Sequence, residues 1–463
     1  MSSWNLDDLR YWDAAIRERV QEFRLDCFPQ EFEICDHHEM LGYMAYHGMP
    51  AHYPHWSYGK AYEKTKTLYD YGVSGLPYEL VINSNPCLAY LMADNSLCLQ
   101  VLTIAHVYGH NDFFKNNFTF TSATDAAETI GAFKARADRV RRYAEDPSIG
   151  EEAVENLLDA AHALAFCISP NAAVRSLSID EQRERVLDAR RQPEDPFASI
   201  HARPQPVDDG PTKMPPEPVA DILAFLRDHH PDFSEWQRDV LDIVDAETRY
   251  FVPQIETKIM NEGWASYWHH KIMNSLDLPH ELHLEFLVRH NQVVTPHPGS
   301  INPYHLGFVL WTKIEEETET DSEEMLFAVR ETDRDTAFLR RFLDEKTMRE
   351  LDLFAYMPKG DKLVVSEVSD EEHWRTVKDK LIRQVGAQSN PSIKITDADY
   401  DAKRELYLVH DHDGRDLELS YAEKTLSHLH GIWNRPVHLE TRLNDKPTQL
   451  TYGAPGFDAR LLV

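Results

Sequence analysis

The chain has 463 residues, 78 of them acidic and 48 basic, for a formal net charge of -30 at pH 7. Such a field repels nucleic acid and anionic membrane, so neither is expected as a partner. No apolar run reaches the ~18–20 residues that span a bilayer, and the N-terminal MSSWNLDDLRYW lacks the basic-then-apolar pattern of a secretory leader. The expectation is a cytoplasmic protein of two or three domains, without membrane insertion.

Leu6, Leu9, Trp12, Ile16, Val20 and Phe23 recur at three- and four-residue steps, which predicts an amphipathic helix over 5–28. GMPAHYPHWSYGKAYE predicts an ordered loop that enters a helix at Lys60. Within it, a lysine beside a glycine that permits close backbone approach makes His55 and Lys60 candidate substrate-facing residues, the alternative being a structural lid. LPYELVIN (76–83) reads as a strand, and LCLQVLTIAHVYGHNDFF as a buried helix after the capping candidates Asp94 to Ser96. Helical patterns follow over 126–142 and 149–166. Prolines and charges then mark 190–221 as an exposed insertion or linker.

Helical periodicity resumes at Ile222 and runs to about Leu310, and the acidic 314–324 suits a solvated helix or loop. From Lys362 onward, KLVVSEV, SIKITDA, RELYLVHD, LELSY and PVHLETRL predict short strands, with HWRTVKDKLIRQV and AEKTLSHLHGIW as helices and Asp413-Gly414 as a hairpin turn. The expected class is α+β: a mainly helical domain over 1–315, then connecting helices and a small α+β domain over 316–463. Five cysteines without a C-x-x-C pair read as buried, reduced thiols.

His106 and His110 sit four apart on the buried helix, one turn from each other and close enough to share an ion. Both could equally be hydrogen-bonded core histidines. The spacing is that of H-E-x-x-H, but Val107 stands where that motif carries its glutamate. MNEGWASYWHH (260–270) resembles the N-E-G-[FW]-A-x-Y segment that supplies the third zinc ligand in gluzincin aminopeptidases, and the resemblance implies Glu262 in that role. Two histidines and a glutamate form a donor set for zinc or another divalent metal with one position left open.

With Val107 unable to take a proton, acid–base work must come from elsewhere. His269 lies seven residues after Glu262, on the same face, as a fourth ligand or a proton shuttle. Another helix offers Glu155, Asp159 and His162, either as acid–base groups or, through Asp159-x-x-His162, as half of a dimetal site. Asn302-Pro303-Tyr304 reads first as a turn, with Tyr304 a candidate oxyanion or substrate donor.

GMPAHYPHWSYGKAYE, NPCLAYLMADN, AHVYGHNDFFKNN, LLDAAHAL, KIMNEGWASYWHH and INPYHLGF, in that order, resemble the SpoVR family, stage V sporulation protein R and its relatives. The resemblance implies an association with spore cortex formation in sporulating bacteria, and genes beside those for a PrkA-type serine kinase and a von Willebrand factor A-like protein. It also implies that the missing glutamate at 107 is a family trait. Two functions follow as expectations: a metal-dependent hydrolase of amide or peptide-like, cell-wall-related substrates, or a non-enzymatic regulator working with that kinase and A-domain protein.

Overall fold

Asn5 opens the first helix, α1 (Leu6–Glu22), by accepting the amides of Asp7 and Asp8 while Asp8 accepts the Asn5 amide in return. This computed structural model describes residues 4–71, 76–167, 177–191, 213–296, 301–318, 320–353, 355–359, 362–367 and 373–462. Most of the predicted 190–221 insertion lies outside the described residues. The helix predicted over 5–28 stops early, because Arg24 takes a left-handed backbone, φ 59°, and turns the chain.

After β1 (Gln30–Cys35) and α2 (His37–Ala45) comes α3 (Trp56–Asp70). It starts at Trp56 rather than Lys60, since the His55 imidazole accepts the Ser57 amide and caps it. Lys60 is therefore helical and not a loop residue. β2 (Glu79–Ile82) and β3 (Cys87–Met92) complete a sheet of order β1-β3-β2, with β1 parallel and β2 antiparallel to β3. β2 is thus an edge strand. α4 (Leu97–Asn116), capped by Ser96, is buried from Cys98 to Phe114. A helix with so little polar face belongs at the centre of a core.

The chain continues through α5 (Phe118–Ala123), α6 (Thr129–Glu145), α7 (Glu151–Leu164), α8 (Ile179–Arg191), α9 (Ile222–His229) and α10 (Glu235–Glu256). α11 (Lys258–Ser275), α12 (His280–Val293), α13 (Pro303–Glu317), α14 (Ser322–Thr332), α15 (Asp335–Phe342) and α16 (Glu345–Glu350) follow. Then come the hairpin β4 (Ala355–Lys359) and β5 (Lys362–Glu367), and α17 (Trp374–Ile382). The chain divides into two compact units, one of residues 1–141 and 249–389, the other of 142–248 and 390–463. In the first unit Trp12, Val101, Trp264, Trp311, Phe338 and Val377 bring α1, α4, α11, α13, α15 and α17 into one apolar core.

The second unit holds β6 (Ile393–Tyr400), β7 (Glu405–His410), α18 (Leu419–Trp433), β8 (Val437–Leu443), β9 (Lys446–Gly453) and β10 (Gly456–Leu461), ordered β10-β9-β8-β7-β6. Leu406, Leu408, Val437, Leu439 and Leu450 are buried in this sheet, which packs with α18. Two expectations fail here. LELSY is not a strand, because Glu418 accepts the Tyr421 amide and caps α18. Asp413-Gly414 is not a hairpin, because β7 pairs in parallel with β8 across α18 and Asp413 instead binds Arg415. The class is α+β as expected. All five cysteines are free, and no helix among the described residues is long and apolar enough to cross a membrane.

Candidate metal centre

Three glycines bring the helices of the site together. A Cβ on Gly109 would stand 2.6 Å from Ala265 Cα, and one on Gly263 would stand 2.4 Å from Gly307 Cα. Only hydrogen fits at these crossings, so α4 touches α11 and α11 touches α13 backbone to backbone. Gly109 adjoins His110, Gly263 adjoins Glu262, and Gly307 lies one turn beyond Tyr304, so each close approach lies beside a candidate site residue.

Buried polar contacts fix the register of these helices. Asp112 on α4 accepts Trp264 Nε1 at 2.9 Å, the Asp26 amide at 2.8 Å and Arg330 Nη1 at 2.7 and 2.8 Å, joining α11, the end of α1's loop and α14. Asp335 accepts the Ile259 and Met260 amides at 2.9 Å each, at the start of α11. Those amides lack intrahelical acceptors, so the carboxylate completes the helix end.

Glu262 Oε2 lies 3.5 Å from His110 Nε2 and 3.9 Å from His106 Nε2, and Glu79 Oε1 lies 4.0 Å from His106 Nε2. Glu79, His106 and His110 also offer ligand atoms that all fall within 4.8 Å of one another. Such separations are too long for hydrogen bonds. Two donors bound to one zinc at about 2.1 Å stand roughly 3.4 Å apart in a tetrahedron, so the donors are close to a shared-ion arrangement. His106 Nε2 and Glu262 Oε2 are both sealed from solvent and without a hydrogen-bond partner. Leaving such atoms unpaired costs about 1–3 kcal/mol each, and a cation between them removes that cost.

The ring nitrogens away from the centre are engaged. His110 Nδ1 is 2.9 Å from Asn261 Oδ1, an acceptor, so Nδ1 carries the proton and Nε2 presents its lone pair. His106 Nδ1 is 2.9 Å from His269 Nδ1, and His269 Nε2 is 2.8 Å from His290 Nδ1. Burial first, and His106 second, lower the His110 pKa to about 4, against the pull of Glu262 and Asn261, so the ring is neutral as a ligand must be.

The two carboxylates are pushed apart. Burial raises Glu262, but His106, His110 and the Tyr304 hydroxyl outweigh it and hold the group below the ordinary glutamate range. Glu79 is raised, mainly by burial, with Glu262 adding to the rise and His106 opposing it. Tyr304 is raised far above a normal tyrosine, first by the Glu262 charge and then by burial, so it keeps its proton. Its ring stacks on His106 with centroids 6.1 Å apart.

Of the residues singled out in the sequence, His106, His110, Glu262, His269 and Tyr304 meet in the first unit. Both nitrogens of His269 are engaged by other histidines. His55 caps α3 through Ser57, and Lys60 lies over exposed Trp56, 5.5 Å from its ring centre. Neither is among the groups that converge at His106. Glu155, Asp159 and His162 stand on α7 in the second unit. Asn302 and Pro303 form the N-cap and first residue of α13 rather than a free turn.

Glu79 was missed. Its strand gives the reason it faces the helices: Val81 packs in the core around α4, while Leu80 and Ile82 pack in a separate cluster, and alternation puts residue 79 with Val81. A lone acidic residue in the apolar LPYELVIN was the available signal.

Comparison with known families now fits this architecture. The family described as SpoVR like protein matches residues 3–390, and the SpoVR-like C-terminal domain matches 391–444, meeting where the chain passes from the first compact unit to the second. The chain belongs to the SpoVR family. It is 32% identical over 493 aligned positions to the uncharacterized protein YcgB of Escherichia coli (strain K12), covering 98% of this chain and 95% of that one. No solved structure matches.

Proposed function

We propose that the chain is a metal-dependent hydrolase of amide bonds in peptide-like, cell-wall-related substrates. The observation that carries this reading is the pair of sealed, unpartnered atoms, His106 Nε2 and Glu262 Oε2, facing each other at 3.9 Å with His110 and Glu79 alongside. His106, His110 and Glu262 hold the cation, zinc or another divalent ion, through neutral imidazoles and an ionised carboxylate. Bound there, the ion supplies Lewis-acid polarisation of a carbonyl and of water.

Glu79 does the work of the glutamate that Val107 replaces. Two carboxylates with opposite shifts divide the labour: ionised Glu262 binds, while Glu79, whose proton is held more tightly, accepts a proton from the attacking water and returns it to the leaving amine. Tyr304, kept protonated beside Glu262, is the donor for a substrate oxygen. This reading gives the acid–base role to Glu79 rather than Glu155 or His162, and leaves His269 to orient His106. His55, which caps α3, and Lys60 on its first turns stay as proposed substrate contacts. Five free thiols support a cytoplasmic setting.

Elemental analysis with anomalous scattering on the native protein tests the reading. Close to one equivalent of metal at His106 and His110, lost in His110→Ala together with cleavage of a peptide and amidase substrate panel, is the expected result. A protein that neither contains nor takes up divalent metal removes the hydrolase reading. The alternative, a regulator acting with a PrkA-type kinase and a von Willebrand factor A-like protein, rests on family resemblance and is tested by pull-down with those partners.

A further inference from the structure

The buried histidines behind the centre form a series on three helices: His106 on α4, His269 on α11 and His290 on α12. Each link joins two imidazole nitrogens, at 2.9 and 2.8 Å, and in each one nitrogen must donate and the other accept. All three rings are buried, and each link is made nitrogen to nitrogen with no carboxylate between, an environment that disfavours a charged imidazole. Neutral rings in series allow two consistent tautomer sets.

In the first set His106 Nδ1 donates to His269 Nδ1, His269 Nε2 donates to His290 Nδ1, and His290 carries its proton on Nε2. His106 Nε2 then presents a bare lone pair to the centre. In the second set every donor and acceptor is reversed, and His106 Nε2–H points at carboxylate oxygens 3.9 and 4.0 Å away, beyond hydrogen-bond reach. Mixed sets put two donors or two bare nitrogens face to face.

Resting on the metal-site reading above, we propose that His106, His269 and His290 act as one tautomer-coupled orienting chain, in which a cation at His106 Nε2 selects the first set and is read out at His290 on α12. The proton balance closes. One proton leaves His106 Nε2, two cross the hydrogen bonds, one is taken up at His290 Nε2, and the chain's net charge is unchanged. His269 and His290 are positioning residues that act through His106, touching neither ion nor substrate.

The test is ¹⁵N–¹H correlation of histidine side chains in the full-length protein, without metal and with one equivalent of Zn²⁺, paired with zinc affinity. On loading, His269 and His290 should both change from the Nδ1–H to the Nε2–H form. His290→Phe, which leaves His269 Nε2–H without an acceptor, should weaken zinc binding about 10–100-fold. His290→Gln, whose amide oxygen can accept, should restore affinity to within a few-fold, and urea unfolding of the metal-free variants separates this from misfolding. Zinc binding with unchanged tautomers, or equal affinity in His290→Phe and His290→Gln, overturns the chain while leaving the metal site standing. A wild-type protein that takes up no zinc overturns both.

Discussion

Gly263 and Gly307 meet with no room for a methyl group: a Cβ on Gly263 would stand 2.4 Å from the Gly307 Cα and 2.5 Å from its carbonyl carbon. Because these contacts are backbone atoms, a side chain cannot rotate away to make space. Gly263→Ala should therefore separate α11 from α13 and cost about 1–3 kcal/mol or more. Urea unfolding measures the loss, and zinc affinity should fall with it because Glu262 is the preceding residue.

Glu79→Gln distinguishes a base from a ligand. The amide keeps the shape but cannot accept the proton, so zinc content should stay near wild type while cleavage of any substrate found in the panel falls about 10²–10⁴-fold. Loss of zinc with the activity would make Glu79 a ligand instead.

Stability should depend on pH through two groups of opposite sign. His110, lowered to about 4 from an ordinary 6.5, stays unprotonated in the fold while the unfolded chain takes up a proton. Its contribution is present above 6.5 and lost as pH falls toward 4, about 3 kcal/mol in metal-free protein.

Asp335 is raised to about 7 from 3.8, chiefly by burial, with Glu256 raising it further and the Ile259 and Met260 amides and Lys258 opposing. Its contribution is present below 3.8 and lost as pH rises through about 7. Asp335→Asn, which cannot ionise, should thus gain on wild type between pH 5 and pH 8. Urea midpoints at the two pH values check this, and a constant difference would count against it.

The Asp112–Arg330 pair is buried on both sides. Arg330→Met leaves the Asp112 carboxylate without its cation and should cost about 3–5 kcal/mol. Adding Asp112→Leu should recover part of that loss in a double-mutant cycle, since the uncompensated charge is gone.

Helical spacing made much of the centre legible. His106 and His110 announce a shared face by their four-residue step, and α11 shows Glu262 and His269 in the same way. Glu79 had no such signature, because a strand residue gains its partners from sheet pairing that the chain does not spell out. The C-terminal misreading has the same root: Leu417 and Leu419 alternate like a strand, yet the Glu418 side chain between them caps a helix. β9 and β10 carry little strand pattern in the sequence, their threonine, tyrosine and glycine residues giving weak alternation. Nor does composition reveal that each compact unit is assembled from two separated stretches.

That interleaving bears on the order of synthesis. His106 and His110 precede Glu262 by about 150 residues, and the first unit is not closed until residue 389 has been made. At ~5–20 residues per second, the two imidazoles exist for roughly 8–30 s before the carboxylate from α11 is translated. Newly made chains therefore carry two of the three proposed donors first, and the third arrives only with late translation.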